Sequence, residues 1–286
     1  MSAAIIPSMW SSFVMEESPE QMVRTMLQYG YRCTELSDEH SAVLLDRGDP
    51  ETVGAKFKRF MDEQGFSTPQ GHLLLHCDLS VGSAKEKADL FETFRKWFAL
   101  FHALNVKAAI LHPGGLRHGA EYRYGGGEVW DNTVANLSGL LKLAEGASFT
   151  ICLENLPRTY PTDRELEQLI AAVPGGEKLG ICLDTGHLAL NHGNCAEFIR
   201  RTASRLKALH ITDCIDCPDG GKHDHFFPTT GSIDWRETVR ALRSADYHGL
   251  SNYEVPRERQ GSASISRLKL EYSRRLADLL LEDPEI

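Results

Sequence analysis

Short apolar runs alternate with segments of helical period along the whole chain. The runs Ala3–Pro7, Tyr31–Leu36, Phe66–Leu75, Lys107–Leu111, Phe149–Leu153, Leu179–Leu183, Leu206–Ile211 and Leu250–Val255 predict strands. Between them the apolar spacing predicts helices over Pro19–Tyr29, Pro50–Gln64, Ser83–Leu104, Glu128–Glu145, Thr162–Val173, Cys195–Ser204 and Trp235–Asp246, and Ser264–Leu280 closes the chain. Gly30 and Gly65 sit where two of these helices should stop. The polar stretches Arg117–Gly127 and Thr212–Ser232 predict loops.

Strict alternation means parallel strands joined by crossover helices. Eight strand–helix units fit an α/β fold of the closed (β/α)8 TIM-barrel type. No linker or composition break interrupts residues 1–286, so one barrel domain is expected. A doubly wound open sheet would want a glycine-rich turn after its first strand, and Pro7-Ser-Met-Trp10 is not one.

Two strands share an unusual ending. Phe149-Thr-Ile-Cys-Leu-Glu154 and Leu179-Gly-Ile-Cys-Leu-Asp184 both run through Ile-Cys-Leu into a carboxylate and then a turn. A carboxylate at the end of a buried strand is costly unless something pairs with it. In a barrel the strand ends converge on one mouth, where active sites lie. The polar residues at those ends are Glu35, His72, His112, Glu154, Asp184, His210 and Glu254. Alternation puts Cys152 with Glu154 and Cys182 with Asp184 on one face, so the cysteines should fill the layer beneath the site. Glu154, Asp184, His210 and Glu254 come from the last four strands. Three carboxylates and one imidazole suit one divalent ion such as Mn2+, Mg2+ or Zn2+.

Composition narrows the classes. The formal net charge of -9 disfavours a nucleic-acid partner, which needs a basic face. No apolar run approaches the roughly 20 residues that span a bilayer, and Met1–Pro7 lacks the basic segment of an export signal. No membrane partner and a cytoplasmic location are therefore expected. The seven cysteines are scattered, and the Cys214-x-x-Cys217 pair lacks the second pair that a zinc ribbon needs. The sequence leaves room for a homo-oligomer.

The motifs Leu-Glu154-Asn, Leu-Asp184-Thr-Gly-His187, Leu-His210-Ile-Thr-Asp213 and Tyr-Glu254-Val resemble the xylose-isomerase-like superfamily of sugar isomerases and epimerases. The resemblance covers nearly the whole chain, including Asp224-His225-Phe-Phe-Pro228 after the seventh strand. It implies that Glu154, Asp184, His210 and Glu254 bind one divalent metal. It also implies that Glu154 and Glu254 act as base and acid on a small carbohydrate, through a metal-stabilised enediolate. His187 matches a position that contacts substrate hydroxyls; His225, His72 and His112 are further candidates for substrate contact.

Rival readings are a lyase of the inosose-dehydratase kind, an endonuclease IV-like phosphodiesterase and a non-catalytic sugar-binding barrel. His72 and His112 resemble nuclease positions that hold a second metal. The nuclease pattern Asp-x-His is replaced here by His223-Asp-His225. The ketose 3-epimerases carry a further Glu six residues after the first metal glutamate, where this chain has Tyr160. Trp10 is placed to wall the site, His76 is expected beyond the mouth, and Arg257 and Arg259 read as a solvated loop.

Overall fold

The computed structural model describes residues 5–114, 125–216, 221–257 and 262–282. Residues 3–4 of the first predicted strand, Gly115, residues 117–124 of the glycine-rich loop, Cys217 and Arg259 lie outside that set.

Eight parallel strands form the barrel wall. In chain order they are β1 (Ile6–Met9), β2 (Cys33–Leu36), β3 (Ser67–His72), β4 (Ala108–Leu111), β5 (Thr150–Glu154), β6 (Gly180–Asp184), β7 (Leu206–Ile211) and, after a two-stranded hairpin, β10 (Leu250–Tyr253). Their order around the sheet is β1-β10-β7-β6-β5-β4-β3-β2. A parallel bridge between Trp10 and Glu35 brings β1 back to β2 and nearly closes the cylinder. Register lines up the functional ends: Glu154 pairs with Cys182, and Asp184 with His210.

The predicted helices appear as α1 (Pro19–Gln28), α3 (Pro50–Gln64), α4 (Ala84–Ala103), α5 (Glu128–Leu143), α6 (Asp163–Ala172), α8 (Cys195–Thr202), α9 (Trp235–Ser244) and α10 (Ala263–Glu282). Their boundaries follow local chemistry. Ser83 and Glu86 form a reciprocal capping box at the start of α4, and Thr162 and Glu165 form another at α6. Gly65 ends α3 in the left-handed region, at φ 67°.

The chain also forms elements that the apolar pattern does not predict. α2 (Asp38–Leu45) and the short α7 (Thr185–Leu190) follow β2 and β6 directly. The stretch predicted as a long loop contains the antiparallel hairpin β8 (Asp213–Asp216) and β9 (Lys222–Phe226). The hairpin sequence is polar and its outer strand half exposed, so it lacks the alternation that marks a strand packed on a core.

The main core lies between barrel and helices. Phe94, Trp97, Phe98 and Phe101 on α4 pack tilted or edge-on against one another and against Phe149. Burying each such ring contributes about 1.5–3 kcal/mol. Gly71 on β3 makes room for Phe101, whose ring atom would lie 2.8 Å from an added Cβ. A separate small cluster of Ala108, Ile110, Cys152, Cys182 and Ala208 fills the barrel interior, as the strand alternation required. Among the described residues, no helix is long and apolar enough to cross a membrane.

Candidate metal centre

Parallel strands carry their last residues to the same rim. Glu154 and Asp184 end β5 and β6, His210 lies on β7, and Glu254 follows β10 at once. All four side chains are buried. Each offers one donor atom, and these atoms lie within 4.8 Å of one another. Glu154 Oε2, Asp184 Oδ2, His210 Nδ1 and Glu254 Oε2 are buried without a hydrogen-bond partner. Buried polar atoms are normally satisfied, so a convergent orphan set is a strong indication of a ligand. A divalent cation fits that donor set.

Two of these groups, Asp184 and His210, are held from outside the set. Asp184 Oδ1 accepts the His187 backbone N–H at 2.6 Å and caps α7. Asn155 holds the Asp184 backbone from both sides, accepting its N–H at 2.7 Å and donating to its carbonyl at 3.0 Å. His210 Nε2 lies 2.9 Å from Glu35 Oε2, which leaves Nδ1 facing Glu254 Oε2 at 2.8 Å and Glu154 Oε1 at 3.3 Å.

Further histidines crowd Glu154. His72 Nε2 and His112 Nε2 lie 3.4 and 3.3 Å from its Oε2, and His187 Nδ1 lies 3.3 Å from its Oε1. Glu154 therefore belongs to a second donor group, with His72 and His112, while His187, Asp224 and His225 form a third. Burial opposes every charge here, but at most of these groups the opposite charges alongside outweigh it. Burial alone would raise Glu154, yet the His210 and His112 imidazoles hold it well below the usual carboxylate range. Glu254 is similarly brought to about 2, against burial, by His210. Burial leaves Asp184 raised to about 6. Burial disfavours the charged form of His72 and His187, but Glu154 beside the first raises it to about 9, and Asp184 and Glu154 raise the second to about 10.

A model of the xylose isomerase-like TIM barrel matches residues 23–276. The chain belongs to that family. Among curated relatives, the D-psicose 3-epimerase of Enterocloster bolteae is 30% identical over 141 residues, 48% of this chain and 43% of that protein. The chain thus spans under half the length of that relative. A Mycoplasma pneumoniae protein named "Probable endonuclease 4" is 22% identical over 83% of this chain and 86% of its own. Two solved structures share the fold. A D-tagatose 3-epimerase-like protein is 19% identical with TM-score 0.76, covering 97% of both chains. The IOLI protein with a binding zinc atom is 18% identical with TM-score 0.72, covering 96% of both.

This xylose isomerase-like barrel brings all the expected site residues together. A cavity of about 430 Å3 is lined by Trp10, His76, His112, Glu154, His187, His225 and Glu254. His72 lies beneath it, fully buried. His76 is a correction: it lines the cavity instead of lying beyond the mouth. β3 stops at His72, three residues short of the predicted end at Leu75, and a turn follows at residues 75–76. Arg257 pairs with Glu16 at 2.6 Å and does not line the cavity. Tyr160 is fully buried, bridged to Leu156. Gln70 carries no signal in the sequence, Asp224 and Asn155 enter it only as members of motifs, and Glu35 enters only as a strand-end carboxylate without a partner.

Proposed function

We propose that this chain is a divalent-metal-dependent isomerase or epimerase of a sugar or sugar derivative, held to its metal by Glu154, Asp184, His210 and Glu254. The observation that carries the reading is the set of four buried, partnerless donor atoms beside a cavity of sugar size. The relative named D-psicose 3-epimerase supports this chemistry.

A bound cation would draw electron density from a substrate carbonyl and acidify the neighbouring C–H bond. The remaining work falls to side chains. Glu154 and Glu254 lie against His210, and a bound cation would hold both as carboxylates. Each stands at the cavity with a carboxylate able to take up or return a proton. They come from β5 and the end of β10, so they approach a sugar from different sides. Two such groups suit inversion of one carbon; one group acting on adjacent carbons suits isomerisation. His187 and His225 line the same cavity, and their rings can exchange hydrogen bonds with hydroxyls. Trp10 supplies an apolar wall. Tyr160 is buried where the ketose 3-epimerases have a further Glu, so the ketose 3-epimerases are not the preferred match.

The test is a panel of ketoses, inososes and hydroxypyruvate with Mn2+ in deuterated water. Deuterium entering a recovered sugar supports the reading. A dehydrated product moves the assignment to a lyase, and no exchange on any member sinks it.

A second reading has its own observation. The donor groups His72–His112–Glu154 and His187–Asp224–His225 flank the first one, and Glu154 is common to two of the three. Such an array suits phosphodiester hydrolysis with more than one metal, and a relative carries an endonuclease name. About one metal per chain in elemental analysis favours the isomerase. Two or three, with cleavage of abasic duplex DNA, favour the hydrolase.

A further inference from the structure

Glu35 and His210 are 175 residues apart in sequence, on β2 and β7, and both side chains are fully buried. Their contact crosses the barrel interior at 2.9 Å, from His210 Nε2 to Glu35 Oε2. Gln70 donates its side-chain N–H to the same oxygen. The orientation of the Gln70 amide is fixed independently, because its nitrogen also lies 3.3 Å from the Leu209 carbonyl, which can only accept. Glu35 Oε2 thus accepts from Gln70 and is placed to accept from His210 Nε2 as well.

The consequence falls on His210. A neutral imidazole has one N–H and one lone pair. With Nε2–H committed to Glu35, the lone pair sits on Nδ1. That atom has no hydrogen-bond partner, and it lies 2.8 Å from Glu254 Oε2 and 3.3 Å from Glu154 Oε1. A ring turned over would put the N–H toward the carboxylates and the lone pair toward Glu35.

A purely structural role accounts poorly for Glu35. The neighbouring interior layer is built from Ala108, Ile110, Cys152, Cys182 and Ala208. An apolar side chain at position 35 would continue it at no desolvation cost. Instead the chain buries a carboxylate and leaves Glu35 Oε1 without any partner. Such a group is expensive to hold in place.

We propose that Glu35 is a positioning residue that fixes the ring orientation and Nε2–H tautomer of His210, so that Nδ1 is presented to a divalent cation. This rests on the metal centre proposed above. Gln70 in turn holds the Glu35 carboxylate. Outer partners of this kind typically govern metal affinity by about 10–100-fold.

Two variants and a spectrum test it. Glu35→Leu removes the acceptor, while Glu35→Gln can still accept from Nε2–H through its amide oxygen. Calorimetric titration with Mn2+ should show affinity weakened about 10–100-fold in Glu35→Leu. Glu35→Gln should recover most of that loss. In Zn2+-loaded wild type, 15N shifts of His210 should show a protonated Nε2 and a metal-bound Nδ1. The reverse assignment overturns the proposal, even where Glu35→Leu does not fold. Wild-type affinity in Glu35→Leu also overturns it, while leaving the metal centre standing. A wild type that binds neither Mn2+ nor Zn2+ removes both together.

Discussion

Asp184 and His187 share one carboxylate between two tasks. The Oδ1 atom of Asp184 accepts the His187 backbone N–H and starts α7, while Oδ2 has no partner and faces the other donors. The strand-to-helix turn therefore orients the ligand, and the ligand starts the helix.

That division gives a prediction with two separable arms. Asp184→Asn keeps a cap acceptor and loses the anionic donor. Urea unfolding without metal should change little. Mn2+ affinity should fall by about 100-fold or more, beyond what loss of an outer partner costs. Asp184→Ala should lose the same affinity and a further ~1 kcal/mol of stability with the cap. Wild-type Mn2+ affinity in Asp184→Asn would remove this residue from the metal centre.

Glu154 is the residue on which the histidines converge, with His72, His112, His187 and His210 all within 3.4 Å of its oxygens. Glu154→Gln keeps size and shape. Circular dichroism and the unfolding midpoint should stay near wild type. The exchange rate on the sugar found by the deuterium panel should drop by at least about 10²–10⁴, the span of acid–base catalysis. Undiminished exchange would refute its assigned role.

Much of this arrangement was legible in the sequence, for definite reasons. The alternation of apolar runs with helical segments follows from crossover connections, so eight strands and a barrel could be read without coordinates. The doubled Ile-Cys-Leu-carboxylate ending gave Glu154 and Asp184 because a repeat at strand ends is a local pattern. Glu35 was visible as a strand-end carboxylate, but its pairing with His210 is a contact across the barrel that no spacing encodes. The same holds for Gln70. His76 was misplaced because β3 ends early, which depends on how the chain turns after His72. The β8–β9 hairpin, which carries Asp224 and His225, has no apolar face and so no period to detect.

His40 offers a check on stability away from the metal centre. Its ring is buried, with Nδ1 3.1 Å from both Ser11 Oγ and Ser37 Oγ and Nε2 3.2 Å from the Glu17 carbonyl. Burial lowers its pKa below the ordinary 6.5. The folded state thus resists protonation that the unfolded chain accepts. Stability from this group is present above 6.5 and is lost as pH falls toward the lower folded value. Relative to His40→Gln, wild type should lose up to about 1.4 kcal/mol per pH unit below 6.5. Urea midpoints at three pH values decide it; a constant difference between the two proteins would contradict the burial argument.

Gly186 shows why the turn after Asp184 admits so little change. Its backbone N–H donates to Thr212 Oγ1 at 3.0 Å, and the same hydroxyl donates to Asp184 Oδ1 at 3.3 Å. A Cβ at position 186 would collide with Thr212 Oγ1 and come within 3.1 Å of the Asp224 Cβ. The hydroxyl is buried between β7 and α7 and cannot move without releasing Asp184. Gly186→Ala should therefore cost about 1–3 kcal/mol through overpacking and weaken Mn2+ binding together with stability. Thr212→Ala removes the obstructing hydroxyl, so the double variant should regain part of the loss. A double-mutant cycle should give a coupling of about 0.5–3 kcal/mol, the range for residues in contact. Strict additivity would mean that the clash is relieved elsewhere, and that Thr212 does not link this turn to the Asp184 carboxylate.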